Sequence, residues 1–223
     1  MKPAWLATIA FVACSPARPR PTKVVKNDPT APHYAHPVRV DHPLTSRYHA
    51  FAPSPPEDQS GGNYESHNTA RPLASYGDAA SLGTKLVVLA LADQPRAFGQ
   101  LDGFRVVVAN AGAATIVFPA TDSALATVSE ALDPSGAWKP IEQLPRSWCG
   151  NSYHRMALPP GKLWELVAPH YDGDFATKLR LRIDSANGST YSNEWYGRVA
   201  LAQLSPPRDD QRYDPDNVFP SEE

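Results

Sequence analysis

The sequence predicts an all-β protein, a single antiparallel β-sandwich flanked by two proline-rich segments that stay outside it. Three observations carry this. Apolar, β-branched segments of about five to eight residues recur with turn residues roughly every 8–12 positions, the spacing of sandwich strands. Residues 177–183 alternate strictly: Leu179, Leu181 and Ile183 share one face, and Lys178, Arg180 and Arg182 the other. No run sustains the helical period, which argues against α/β folds.

The strands follow in order. Residues 85–91 (Lys-Leu-Val-Val-Leu-Ala-Leu) form a short apolar run that suits a buried strand. Residues 103–110 are β-branched and end at the turn Asn110-Ala111-Gly112, and 115–118 are closed by Pro119. Residues 126–132 and 137–143 flank Asp133-Pro134-Ser135-Gly136, whose Pro and Gly positions suit a type I turn. After the alternating strand comes a turn at Asn187-Gly188, then strands over 191–196 and 198–204.

Proline, 24 residues in all, is dense between Ser15 and Leu73 and again after Ser205. Aliphatic residues in the first of these stretches are few, too few to offset an ordering cost of about 1–2 kcal/mol per residue. The expected organisation is therefore a signal peptide over 1–13, a disordered tether over 14–78, the sandwich over 79–204 and an acidic disordered tail over 205–223. Within the tether, Tyr34, Val38, Val40, Leu44, Tyr48 and Phe51 form an apolar set available for docking on the domain or on a partner.

Met1-Lys2 supplies a positive charge ahead of a mostly apolar run that stops at Cys14. A basic start followed by about 7–15 apolar residues is the layout of a secretory signal. The run is shorter than the roughly 20 residues a membrane-spanning helix needs. Its ending, Phe11-Val12-Ala13-Cys14, resembles the lipobox of bacterial lipoproteins, with Phe11 where Leu is commonest. The resemblance implies that Cys14 is lipidated, becomes the mature N-terminus and anchors the protein in the bacterial cell envelope. Ser15 in place of Asp points to the outer membrane in a host with two membranes. Of the two cysteines, Cys149 is then left without an intramolecular partner, so the fold is no disulfide scaffold.

The stretch Leu158-Pro159-Pro160-Gly161-Lys162-Leu163-Trp164-Glu165, together with Val108-Ala109-Asn110-Ala111-Gly112, resembles passages of bacterial immunoglobulin-like modules. That implies a fold and no activity. The segments 148–156 and 191–194 are similar to sequence in exported proteins without an assigned role, which implies no function.

The densest cluster of chemically versatile residues is 148–156. Cys149-x4-His154, with Met156, has the spacing of some cupredoxin copper loops, but a second histidine should come from an earlier strand. Every earlier histidine (His33, His36, His42, His49, His67) falls in the tether. A thiol enzyme using Cys149, His154 and Asn151 would need three members of one short loop to converge, where such groups normally come from distant segments. Two readings are left. Trp148 and Cys149 are core residues, or Trp138, Trp148, Asn151, Tyr153 and His154 form a binding site of the aromatic kind that dominates interfaces.

Tyr171-Asp172-Gly173-Asp174 lacks the six to eight oxygens, roughly, of a calcium loop and reads as a hairpin turn. Lys178, Arg180 and Arg182 read as a solvated sheet face. The net charge of −2 gives no field to recruit nucleic acid. No catalytic residue, metal or cofactor is implied. The expected function is a non-catalytic, membrane-anchored interaction module with a protein partner in the envelope. The alternative is a protease inhibitor, because residues 104–138 resemble an immunoglobulin-like bacterial inhibitor family, and a cupredoxin-like copper protein is the remote alternative. The inhibitory loop would be Leu144-Pro145-Arg146-Ser147, with Arg146 predicting trypsin-like targets.

Overall fold

The computed structural model describes residues 31–40, 42–52, 66–147 and 152–205. The signal segment, Cys14, Trp148, Cys149, Asn151 and the tail beyond Ser205 lie outside the described residues. Sixteen strands are described: β1 (Val38–Arg39), β2 (Leu44–Thr45), β3 (Arg71–Pro72), β4 (Leu86–Phe98), β5 (Leu101–Asn110), β6 (Ile116–Thr121), β7 (Ala124–Leu125), β8 (Thr127–Leu132), β9 (Trp138–Pro140), β10 (Glu142–Gln143), β11 (Tyr153–Leu158), β12 (Lys162–Pro169), β13 (Tyr171–Asp172), β14 (Phe175–Ser185), β15 (Gly188–Tyr191) and β16 (Trp195–Val199). Short 3-10 turns occupy Leu73–Ser75, Ala79–Leu82 and Leu201–Leu204. No described helix is long and apolar enough to cross a membrane. The fold is all-β, as the sequence predicts.

Three antiparallel sheets carry the architecture, in the orders β3-β12-β5-β4, β11-β6-β7 and β15-β14-β8-β9, with β16 also paired to β14. The main core draws on all three. Val106 and Val108 of β5, Trp164 and Leu166 of β12, Phe118 of β6, Met156 of β11, and Leu181 and Ile183 of β14 pack together. Phe118 meets Trp164 edge-on at 5.5 Å. The other residues of β5, Val107 and Ala109, face a second apolar cluster with Leu82 and Leu163, against which Leu73 and Tyr76 pack. Both faces of this sheet are thus covered, which is why β5 reads as a continuous apolar run rather than an alternation. β14 keeps its alternation because only one face enters the core: Leu179, Leu181 and Ile183 are buried while Lys178, Arg180 and Arg182 are partly exposed.

The turns follow their side chains. Asn110, fully buried, donates from Nδ2 to the carbonyls of Ala114 (2.8 Å) and Leu158 (2.9 Å) and accepts the Gly112 N–H (3.0 Å). Asp133 Oδ1 accepts the backbone N–H groups of Ser135 and Ala137, each at 2.9 Å, and closes the β8–β9 turn. The open edge of β4 is partly blunted by Asn193. Its amide donates to the Ala90 carbonyl (2.9 Å) and accepts the Ala90 N–H (2.8 Å), standing in for a missing strand.

The N-terminal part departs from the expected tether. Residues 31–40, 42–52 and 66–75 lie on the domain. β1 pairs parallel with β13, and β2 pairs parallel with β10. Val38 and Tyr48 are buried, Ala50 and Ala52 join the main core, and the Phe51 carbonyl accepts the Trp164 indole N–H at 3.1 Å. Arg71 reaches the Glu165 carboxylate alongside Arg105. Few aliphatics suffice here because they join clusters the domain supplies: Tyr48, Ala50 and Ala52 the main core, and Val38, Val40 and Leu44 a smaller one with Ile141, Tyr171 and Leu179. The segment does not have to build a core of its own.

Two further expectations change in detail. Tyr171-Asp172 is not simply a hairpin turn. Asp172 pairs with Arg39 at 2.9 Å, and Asp174 accepts the Leu201 N–H at 3.2 Å, so the two carboxylates tie down the N-terminal strap and the C-terminal turn. In place of the expected strands 191–196 and 198–204, β15 ends at Tyr191, a single strand β16 covers Trp195–Val199, and Leu201–Leu204 turns as a 3-10 helix.

Candidate functional site

The sequence-derived candidates do not form one site. Trp138 begins β9 in the five-stranded sheet, whereas Tyr153 and His154 belong to β11 of the three-stranded sheet. The Tyr153 hydroxyl accepts the Ser147 N–H (3.1 Å) and donates to the Ser147 carbonyl (3.2 Å), acting as a brace for the preceding loop. His154 is buried, with Nδ1 3.1 Å from the Ser152 carbonyl oxygen. It shares the inward face of β11 with Met156, as their spacing predicts. Among the described residues, no three His, Cys, Asp or Glu side chains gather to hold a metal ion.

The loop Leu144-Pro145-Arg146-Ser147 has no regular secondary structure, and Arg146 is exposed between partly buried neighbours. β10 fixes it on one side. The Ser147–Tyr153 bonds and a Ser147 Oγ–Ser152 Oγ contact at 2.8 Å fix it on the other.

The most developed surface feature is one that the sequence presented as a solvated basic stripe. Arg180 is only partly solvated: its side chain is 20 % exposed, and its guanidinium lies against two aromatic rings. The guanidinium carbon is 4.2 Å from the centre of the Trp138 ring and 3.9 Å from that of Tyr191. Desolvated cation–π contacts are worth about 2 kcal/mol, and exposed ones about 0.5–1.

Strand register builds this arrangement. Arg180 stands opposite Glu130, Trp138 opposite Leu132, Tyr191 opposite Arg182 and Tyr196 opposite Lys178, so all project from the outer face of the sheet. Tyr191 is 46 % exposed and Tyr196 48 % exposed, two of the four large hydrophobic residues exposed among the described residues.

The charges on this face are already matched. Glu130 receives Arg180 at 2.7 Å and Arg182 at 3.1 Å, Arg182 also approaches Asp184 at 3.3 Å, and Lys178 pairs with Glu194 at 2.7 Å. Three cations therefore face three carboxylates. What the surface offers is aromatic area and rigid hydrogen-bonding groups rather than a net field. The alternation of β14 was the one visible signal. The rings that complete the site come from strands whose register the sequence does not state.

Compared with known protein families, with curated proteins and with solved structures, the chain matches none of them.

Proposed function

We propose that this protein is a non-catalytic interaction module of the bacterial cell envelope, anchored through a lipidated Cys14. In this reading it binds a protein partner through the outer face of the five-stranded sheet. The Trp138–Arg180–Tyr191 stack carries the proposal. Trp, Tyr and Arg are the residues over-represented among the few side chains that dominate interface energetics. Here Arg180 is already packed against both rings and paired with Glu130 before binding, which reduces the ordering cost of association. Because the face is electrically balanced, the matching partner surface is aromatic and hydrogen-bonding rather than strongly charged. The lipobox-like Phe11-Val12-Ala13-Cys14 supports the anchor. Facing antiparallel sheets are compatible with the immunoglobulin-like passage at 158–165.

The test is crosslinking in the native envelope with the wild-type chain and with Trp138→Ala and Tyr191→Ala variants. A partner identified with the wild type and lost with both variants supports the face. Capture that is identical in all three removes it.

A second reading, protease inhibition, is favoured by one observation: Arg146 is exposed on a segment without regular secondary structure that is braced at both ends, as an inhibitory loop is. Titration of trypsin with the purified protein decides it, since an inhibitor leaves less activity at stoichiometric concentrations and an Arg146→Ala variant restores it.

A further inference from the structure

The tip of the β4–β5 hairpin curls over the N-terminal strap at the opposite end of β5 from Asn110. Asp102 is the node of this junction. Its N–H donates to the His36 carbonyl (2.7 Å), its Oδ2 accepts the His36 N–H (2.6 Å), and its carbonyl accepts the His170 N–H (2.9 Å). A register shift in the β4–β5 pairing falls between Leu91 and Pro95, beside the hairpin. Between the hairpin and the strap lies a cleft of about 690 Å³, whose walls include Tyr34, Asp93, Arg96, Leu101, Asp102 and His170.

His170 is the unusual member. The residue is 4 % exposed, its ring stacks on Tyr34 at 3.6 Å between centroids, and Phe104 lies against it at 4.9 Å. Neither ring nitrogen has a hydrogen-bond partner among the described residues. Burial lowers its pKa to about 4, with the nearby Asp102 carboxylate acting in the opposite direction, so at neutral pH the ring is uncharged and offers a lone pair.

Two carboxylates, Asp93 and Asp102, share the cleft with one cation, Arg96, and Arg96 spends a donor on the neighbouring Pro95 carbonyl at 2.9 Å. The group that complements an acceptor nitrogen, two carboxylates and an aromatic wall is a compact cation bearing N–H donors on an apolar stem.

We propose that this cleft binds an alkylammonium group, with Asp102 and Asp93 supplying charge, His170 accepting an N–H and Tyr34 covering the stem. The site is independent of the sheet face described above. The group could arrive on a free amine or on a lysine side chain of a protein, and the experiment separates these sources.

The full chain, labelled with 15N, is titrated with cadaverine, with N-acetyl-lysine-methylamide and with n-butanol as an uncharged control, while the His170 ring nitrogens and the Asp102 amide are followed. The proposal expects saturable shifts at both positions with at least one ammonium probe and none with butanol. Binding of cadaverine alone indicates a free amine, and binding of the lysine derivative indicates a protein side chain. Asp102→Asn keeps the acceptor for the His36 N–H, so the fold survives while affinity falls roughly tenfold or more. His170→Phe keeps the ring stack and removes the acceptor, and it should also weaken binding. The proposal is overturned if neither ammonium probe shifts these signals, if butanol binds as well, or if both variants bind like the wild type.

Discussion

The Tyr48 hydroxyl donates to Glu142 Oε1 at 3.0 Å, across a sequence separation of 94 residues, and both side chains are buried. The same carboxylate accepts the Tyr171 hydroxyl at 2.5 Å and the Ser129 N–H at 2.6 Å, and Ser129 Oγ lies 2.9 Å from the Tyr48 hydroxyl. This network fastens the N-terminal strap to β8, β10 and β13. Tyr48→Phe removes one donor of three and should cost about 1 kcal/mol in chemical denaturation. Tyr48→Ala also empties the space occupied by the ring and should cost about 3–5 kcal/mol.

Burial pushes the Glu142 carboxyl above its ordinary value of 4.5, against the hydrogen bonds from Tyr171, Ser129 and Tyr48 that pull it down. A carboxyl that holds its proton more tightly when folded contributes stability that is fully present below its unfolded pKa. That stability is lost as the pH rises through the folded pKa. Denaturation measured from about pH 4 upward should therefore contain a component of falling stability that Glu142→Gln, mimicking the neutral acid, removes. Identical pH profiles for the two proteins would contradict this.

Removing the strap tests its contribution to the fold. A chain lacking residues 1–52 loses Tyr48, Ala50 and the Phe51 carbonyl that caps Trp164, and it should fail to give a cooperative thermal transition. A fully stable fragment 79–204, the boundary the sequence suggested, would show that the strap is dispensable.

The contrast between strap and β14 shows what a sequence states and what it leaves out. β14 announces itself because one buried face forces an alternation over consecutive residues. The strap's strands are two residues long and separated by prolines, so no local period can form. Its burial depends on partners such as Glu142 and Tyr171, more than ninety residues away. The apolar set from Tyr34 to Phe51 was visible, but its docking place was not. The stack around Arg180 was hidden for a related reason: its three members come from β9, β14 and β15, and only the register of those strands brings them together. The candidate site was thus legible at Trp138 alone.

Two glycines should respond differently to the same change. A Cβ on Gly173 would fall 2.1 Å from the Val199 carbonyl carbon and 2.2 Å from the Ala200 nitrogen, both backbone atoms that cannot turn aside. A Cβ on Gly197 would meet Leu179 Cδ1 at 2.2 Å, the end of a side chain that is able to rotate. Gly173→Ala should abolish or severely weaken folding, whereas Gly197→Ala should cost about 1–3 kcal/mol. Thermal melts of the pair decide the order.

Arg180→Ala removes the cation between Trp138 and Tyr191 and leaves Glu130, which is buried, with Arg182 as its remaining partner. Loss of about 1–3 kcal/mol is expected, with a change in tryptophan fluorescence as the Trp138 ring is released. Arg180→Lys restores the charge without the flat guanidinium and should recover only part of the loss.

The central claim of the proposed function is that a protein partner in the bacterial envelope occupies the outer face of the five-stranded sheet. Hydroxyl-radical footprinting measures this directly by comparing oxidation rates in intact envelopes and in purified protein. The account predicts that Tyr191 and Tyr196 are protected several-fold in the envelope relative to the purified protein. Equal rates for the two tyrosines in both settings would contradict it.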